Sequence, residues 1–162
     1  MVSVRPHLWF GNNKGAEAAA FYAEHIPGSS VDRVHKAPEG VPGVEPGAEF
    51  VVEFTVAGQP VTGLNAGPHL MLDDAFSFYL LLEGGQEEVD HYWDLLTTDG
   101  GEPGPCGWCK DRFGVSWQVI PKELEELCGT YSTPAEIATM QAMLTMGKLD
   151  VAALQAAHDG AA

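Results

Sequence analysis

The sequence predicts an α+β fold in which one strand-helix-strands unit is written twice and a helical tail follows. Three observations carry that prediction. Two helical stretches with aromatic pairs each follow an apolar strand, an alternating strand or hairpin follows each helix, and the C-terminal region holds two helix-start signals.

The first strand is "SVRPHLWF", residues 3–10, which runs into the turn "GNNKG". In "AEAAAFYAEHI", Ala18, Phe21, Tyr22 and Ile26 recur at helical spacing, and Pro27-Gly28 ends the helix. "SSVDRVHK" reads as a short strand. The segment "APEGVPGVEPG" carries three prolines and three glycines in eleven residues, which forbids regular structure. Phe50, Val52, Phe54 and Val56 then alternate with Glu49, Val51, Glu53 and Thr55, a pleated strand with one apolar face. "AGQP" turns it back into "VTGLN", making a hairpin.

The second half repeats this order: strand "AFSFYLLLE" at 75–83, helical "QEEVDHYWDLLTTDGG", a Pro/Gly-rich segment, the turn "KDRFG" and the strand "VSWQVIP". Aligning Phe21-Tyr22 with Tyr92-Trp93 gives an offset of 71 and sets His7 against Phe78. Aligning Gly58 with Gly114 sets Thr62 against Gln118. A period near 70 is too long for a solenoid repeat. In the tail, Thr133 and Glu136 form a capping box with Pro134 at the first helical position. Ile137, Met140, Met143 and Leu144 mark one apolar face running to Gly147. Asp150 caps a last short helix, "VAALQAAH".

The 162 residues suit one compact domain, 1–162, able to bury roughly 70 % of its unfolded surface. Eight Lys plus Arg against 23 Asp plus Glu give a net charge of -15 and argue against nucleic-acid binding, which needs clustered cations. No apolar run is long enough to span a membrane and the N-terminus lacks a secretory pattern, so no membrane partner and a cytoplasmic location are expected. Three cysteines, an odd number, fit a reducing compartment.

Four stretches, "HLWFGNNKGAEAAAFY", "VEFTVAGQPVTGLNAGPH", "GPCGWCKDRFGVSWQVIP" and "MQAMLTMGKLDVAALQAA", resemble the PhnB-like family, also called 3-demethylubiquinone 3-methyltransferase-like. That family lies within the vicinal oxygen chelate superfamily of glyoxalases, bleomycin-resistance proteins and dioxygenases. The resemblance spans about residues 4 to 157. It implies two paired βαβββ modules, about 3–66 and 75–121, whose sheets curl into a cleft, a helical tail at about 122–158, and assembly as a homodimer.

In the metal-dependent enzymes of the superfamily, four ligands come from the first and last strands of each module. The resemblance places His7 at the first ligand position and Gln118 at the final one, with Thr62 and Phe78 or Ser77 at the others. Only His7 and Gln118 are candidate donors there, and two of four make a poor transition-metal site. A metal-free cleft and no cofactor are therefore expected. A divalent-metal lyase, isomerase or dioxygenase using His7 and Gln118, with His69 or Glu53 as further donors, is the alternative. The methyltransferase part of the family name finds no G-x-G-x-x-G loop to support it.

The expected ligand-binding residues are His7, Trp9, Asn65, His69, Trp108 and Gln118. His7 and Trp9 share a strand face, Asn65 and His69 follow a strand end, and Trp108 and Trp117 flank the last hairpin. Core packing is the competing expectation for the tryptophans, and a turn-stabilising hydrogen bond is that for His69. Lys110-Asp111-Arg112 reads as a solvated hairpin with Asp111 bonding local amides. His25 and His91, near helix ends, should be solvated. A third possible role, after binding and metal catalysis, is sequestration of a cationic drug in an acidic groove.

"CGWC" matches C-x-x-C, but it leads into a hairpin rather than a helix. In extended chain Cys106 and Cys109 would stand roughly 10 Å apart, beyond disulfide reach. Both are expected as free thiols.

Overall fold

The computed structural model describes residues 2–162. The chain divides into two compact units, the first ending at Leu72 and the second running Asp73–Ala162. Each unit contains one four-stranded mixed sheet, as the duplication predicts. Among the described residues no helix is long and apolar enough to cross a membrane.

The first unit comprises β1 (His7–Trp9), α1 (Gly15–His25), β2 (Ser30–Lys36), β3 (Glu49–Val56) and β4 (Gln59–Leu64). Its sheet has the order β1-β4-β3-β2, with β1 parallel to β4 and the others antiparallel. β1 is shorter than the expected 3–10. Pro6 has no N–H for the ladder, although its carbonyl still accepts from Thr62 N–H at 3.0 Å. The alternation in β3 sends Val52, Phe54 and Val56 into the core under α1, where Phe10 and Tyr22 are fully buried. Burying each such side chain contributes about 1.5–3 kcal/mol. Ala57 and Gly58, both with positive φ, close the β3–β4 hairpin in two residues, the geometry a right-twisted hairpin favours. β2 ends the sheet and carries register shifts between Val31 and Arg33 and between His35 and Lys36.

The second unit comprises β5 (Phe78–Leu82), α2 (Gly85–Thr97), β6 (Glu102–Pro103), β7 (Trp108–Lys110), β8 (Ser116–Pro121), α3 (Lys122–Cys128), α4 (Pro134–Met143) and α5 (Val151–Asp159). Its sheet order is β5-β8-β7-β6, again with a parallel first pair. Phe78, Trp117 and Val119 face the core under α2, together with buried Val89 and Leu96. The Phe78 and Trp117 rings lie 4.9 Å apart.

In the tail, Thr133 and Glu136 form the expected capping box with Pro134 at the helix start, and Asp150 caps α5. The apolar face of α4 is rotated from the expected one. Ala135 and Thr139 are buried, while Ile137 and Leu144 are exposed. Met140 and Met143 pack on a cluster of Ile120, Leu124, Cys128, Leu149 and Leu154. Small side chains let α4 approach its neighbours closely, which the larger apolar residues would prevent.

Candidate functional site

In the first unit, the register places His7 opposite Thr62 and Thr62 opposite Glu53, so these three share the sheet face away from α1. His7 is exposed, and Thr62 is buried with an Oγ1 that has no hydrogen-bond partner. Glu53 lies between Arg5 at 3.5 Å and His35 at 3.7 Å, so its carboxylate is already balanced by cationic or basic neighbours. Trp9 is half-buried on the same face, and its indole N–H donates to the Gly67 carbonyl at 2.8 Å.

The strand-end pair behaves differently. Asn65 is buried, and its Oδ1 accepts from Gly15 N–H at 2.9 Å, satisfying the start of α1. His69 is exposed, in the turn after β4, with its ring beside Gly43.

In the second unit, Trp108 stands opposite Gln118, and Lys110 opposite Ser116. All four share the face away from α2. The residue opposite Gln118 on β5 is Tyr79 rather than Phe78. An offset of 72 rather than 71 therefore relates the strands, and with a side-chain period of two that single step moves Phe78 to the core face. Gln118 Nε2 donates to Ser77 Oγ at 2.9 Å, so two of the positions implied for metal ligands hold each other.

A cavity of about 500 Å³ opens beside them, within the range of small-molecule sites. Its walls include Trp108, Cys106, Cys109, Glu102, Lys110, Ser116 and Asp74, with a Pro103-Gly104-Pro105 rim. Gln118 is on the same face but does not line it. Asp74 Oδ1 accepts from Lys110 Nζ and from Ser116 Oγ, both at 2.9 Å. The Lys110 hydrogen bond above all, then that from Ser116, holds the Asp74 carboxyl below its ordinary range.

Sequence reasoning found Trp108 but missed Asp74, Glu102, Lys110, Ser116 and the cavity role of Cys106. Asp74 belongs to the segment before β5, and no local pattern reports its reach across to Lys110 and Ser116. The hairpin carries the expected bonds from local amides to Asp111, but not the expected solvation of that residue. Asp111 is buried, with Oδ1 accepting from Phe113 and Val115 N–H and Oδ2 from Trp117 Nε1.

Cys106, Cys109 and Cys128 are free thiols, as expected. The expected extended chain between Cys106 and Cys109 is not what keeps them so. Pro105 to Trp108 form a tight turn, closed by Trp108 N–H to the Pro105 carbonyl, with positive φ at Cys106 and Gly107. Cys106 faces the cavity. Cys109 is buried, and burial pushes its thiol up to about 12, which disfavours the thiolate needed for redox or metal chemistry.

The donor set does not fit a divalent metal. Thr62 and Ser77 are poor ligands, Gln118 is bonded to Ser77, and among the described residues no group of three or more His, Cys, Asp or Glu side chains could hold an ion.

Residues 2–120 match the family model described as 3-demethylubiquinone-9 3-methyltransferase. Among solved structures, the chain is similar to a PhnB protein from Bacillus cereus, with 26 % identity, a TM-score of 0.60, and coverage of 72 % of this chain and 97 % of the other. A protein from Pseudomonas aeruginosa shares the fold at 20 % identity and a TM-score of 0.57, covering 72 % of this chain and 95 % of that one. No curated protein matches the sequence.

Proposed function

The chain belongs to the 3-demethylubiquinone-9 3-methyltransferase-like, or PhnB-like, family, and from that premise we propose that it binds a small planar molecule without a metal ion. The observation that carries this reading is the 500 Å³ cavity of the second unit, where the Trp108 ring adjoins a fixed Lys110-Asp74-Ser116 polar group. A flat apolar ligand gains dispersion and desolvation on the indole, while the polar group orients it. His7, Trp9 and His69 are proposed, separately, as ligand contacts of the first unit. Asn65 and Gln118 act by holding backbone and Ser77 in place.

The protein is proposed to work in the cytoplasm as a homodimer of the vicinal oxygen chelate type. Three free thiols are what a reducing compartment leaves, and light scattering of the purified chain tests the dimer. No methyl transfer is assigned, since the sequence holds no G-x-G-x-x-G loop for a nucleoside cofactor. The net charge of -15, with Glu102 in the cavity wall beside the neutralised Asp74–Lys110 pair, favours an organic cation among planar ligands and so a sequestering role.

Ligand-observed NMR against a set of aromatic fragments tests the reading. Trp108→Ala is expected to weaken the best fragments on the order of tenfold, the loss of one aromatic contact. Fragments that bind Trp108→Ala equally well, or stoichiometric zinc, nickel, iron or manganese in untagged protein, would overturn it.

A further inference from the structure

The family match ends at residue 120, and beyond it the chain builds α3, α4 and α5. Within the second unit, apolar contacts around Ile120 and Leu149 hold these helices to the end of β8. The return segment between α4 and α5 is tied more specifically. Cys106 N–H donates to the Met146 carbonyl at 2.7 Å, and Gly107 N–H to the Gly147 carbonyl at 2.8 Å. Gln86, in the first turn of α2, clamps the same segment with both ends of its amide. Its Nε2 donates to the Leu149 carbonyl at 3.1 Å, and its Oε1 accepts from Val151 N–H at 2.8 Å. Lys148 Nζ lies 2.8 Å from Asp90, one turn further along α2.

The other side of this tie is the cavity wall. Cys106 has φ +56°, an unfavourable backbone state for a residue with a side chain, which surrounding contacts must hold. Gly107 follows at φ +81°, and a Cβ there would lie 3.0 Å from Leu149 Cδ1 and from the Val119 carbonyl oxygen. The two residues flanking Gly107 are Cys106 and Trp108, both of which line the cavity. The tail thus grips the turn that presents them.

We propose that residues 146–151 form a positioning segment of the binding cavity, setting Cys106 and Trp108 through backbone hydrogen bonds, so that tail docking and cavity occupancy are coupled. Whatever binds the latched cavity better also stabilises the latch, by linkage. This rests on the cavity being a ligand site, but the first test needs no ligand.

The test compares the full-length wild type with Gln86→Ala, Lys148→Ala and Thr133→Ala by amide hydrogen exchange. Losing the two Gln86 bonds should speed exchange at Cys106 and Gly107 on the order of tenfold, with the β5–β8 ladder unchanged. Lys148→Ala should act in the same direction and less. Thr133→Ala, which weakens the α4 cap alone, should leave both amides as they are. Alkylation mapped by peptide mass adds a readout of cavity shape. In Gln86→Ala, a bulky aromatic maleimide should gain on iodoacetamide at Cys106, with Cys109 and Cys128 still protected. Unchanged exchange at Cys106 and Gly107 would overturn the proposal, as would equal labelling of all three cysteines or an equal effect of Thr133→Ala. If the wild type binds no fragment while these exchange rates still shift, the ligand reading fails and the latch stands.

Discussion

In the first unit the β3–β4 hairpin turns on Ala57 and Gly58, whose amides donate to Ser29 Oγ and the Gly28 carbonyl, both at 2.9 Å, while at the far end of β4 Asn65 takes the Gly15 N–H. In the second, residues 111–115 link β7 to β8, and the anchor is inside that loop, where Asp111 accepts from two amides and the Trp117 indole. A two-residue turn with left-handed backbone leaves its two amides to acceptors on a neighbouring segment. A longer loop folded onto the core leaves amides that need a buried acceptor. The turn of the first hairpin is thus held from outside, by residues 28 and 29, and that of the second from within, by Asp111.

The largest expected effect breaks the second anchor. Asp111→Ala removes the acceptor of three buried N–H groups and should lower the stability of the second unit by about 3–4 kcal/mol, measured by urea denaturation followed through tryptophan fluorescence. Asp111→Asn keeps an acceptor for the amides and should recover part of that loss. If Asp111→Ala costs less than the first-unit variant below, the comparison is wrong.

Asn65→Ala should cost about 1 kcal/mol. It removes the bond to Gly15 N–H but also deletes an Nδ2 that is buried without a partner. The same denaturation experiment checks it, with circular dichroism reporting the fraying of α1.

The smallest effect is acid sensitivity. Asp74, Asp90 and Glu136, all in the second unit, are held below the ordinary carboxylate range, chiefly by Lys110, by Lys148 and by the Ser132 and Thr133 amides respectively. A depressed folded-state pKa gives stability that is present above the unfolded value, about 4, and is lost as pH falls through the folded one. Amide NMR during acid titration should show the surroundings of Lys110 and Lys148 loosening only below about pH 4, and loosening near neutrality would contradict this assignment. The groups face solvent, so the change should be gradual.

Much of the fold was legible because it is local. The alternation in 49–56, the Thr133-Glu136 cap and the Asp150 cap depend on residues a few positions apart, and each appears where the pattern puts it. The doubled strand-helix-strands order was legible for the same reason. The cavity was only half legible. Trp108 announces itself as an aromatic beside a hairpin, but Asp74 reaches Ser116 across 42 positions and Gln86 reaches Val151 across 65. No spacing rule encodes such pairings. The tight turn at Cys106 was hidden because a cysteine at positive φ is rare, and only the tail that holds it explains it.

β2 closes one side of the first sheet, and its two register shifts throw its outer N–H and C=O groups out of step. Asp32, at the first of them, spends both carboxylate oxygens on Ser30 and Thr55 within its own sheet. An incoming extended segment therefore meets a kinked, charged ribbon rather than a continuous row of donors and acceptors, which resists strand addition and fibril growth. The terminal strand of that sheet is thus a poor template for another chain, a property separate from anything the cavity does.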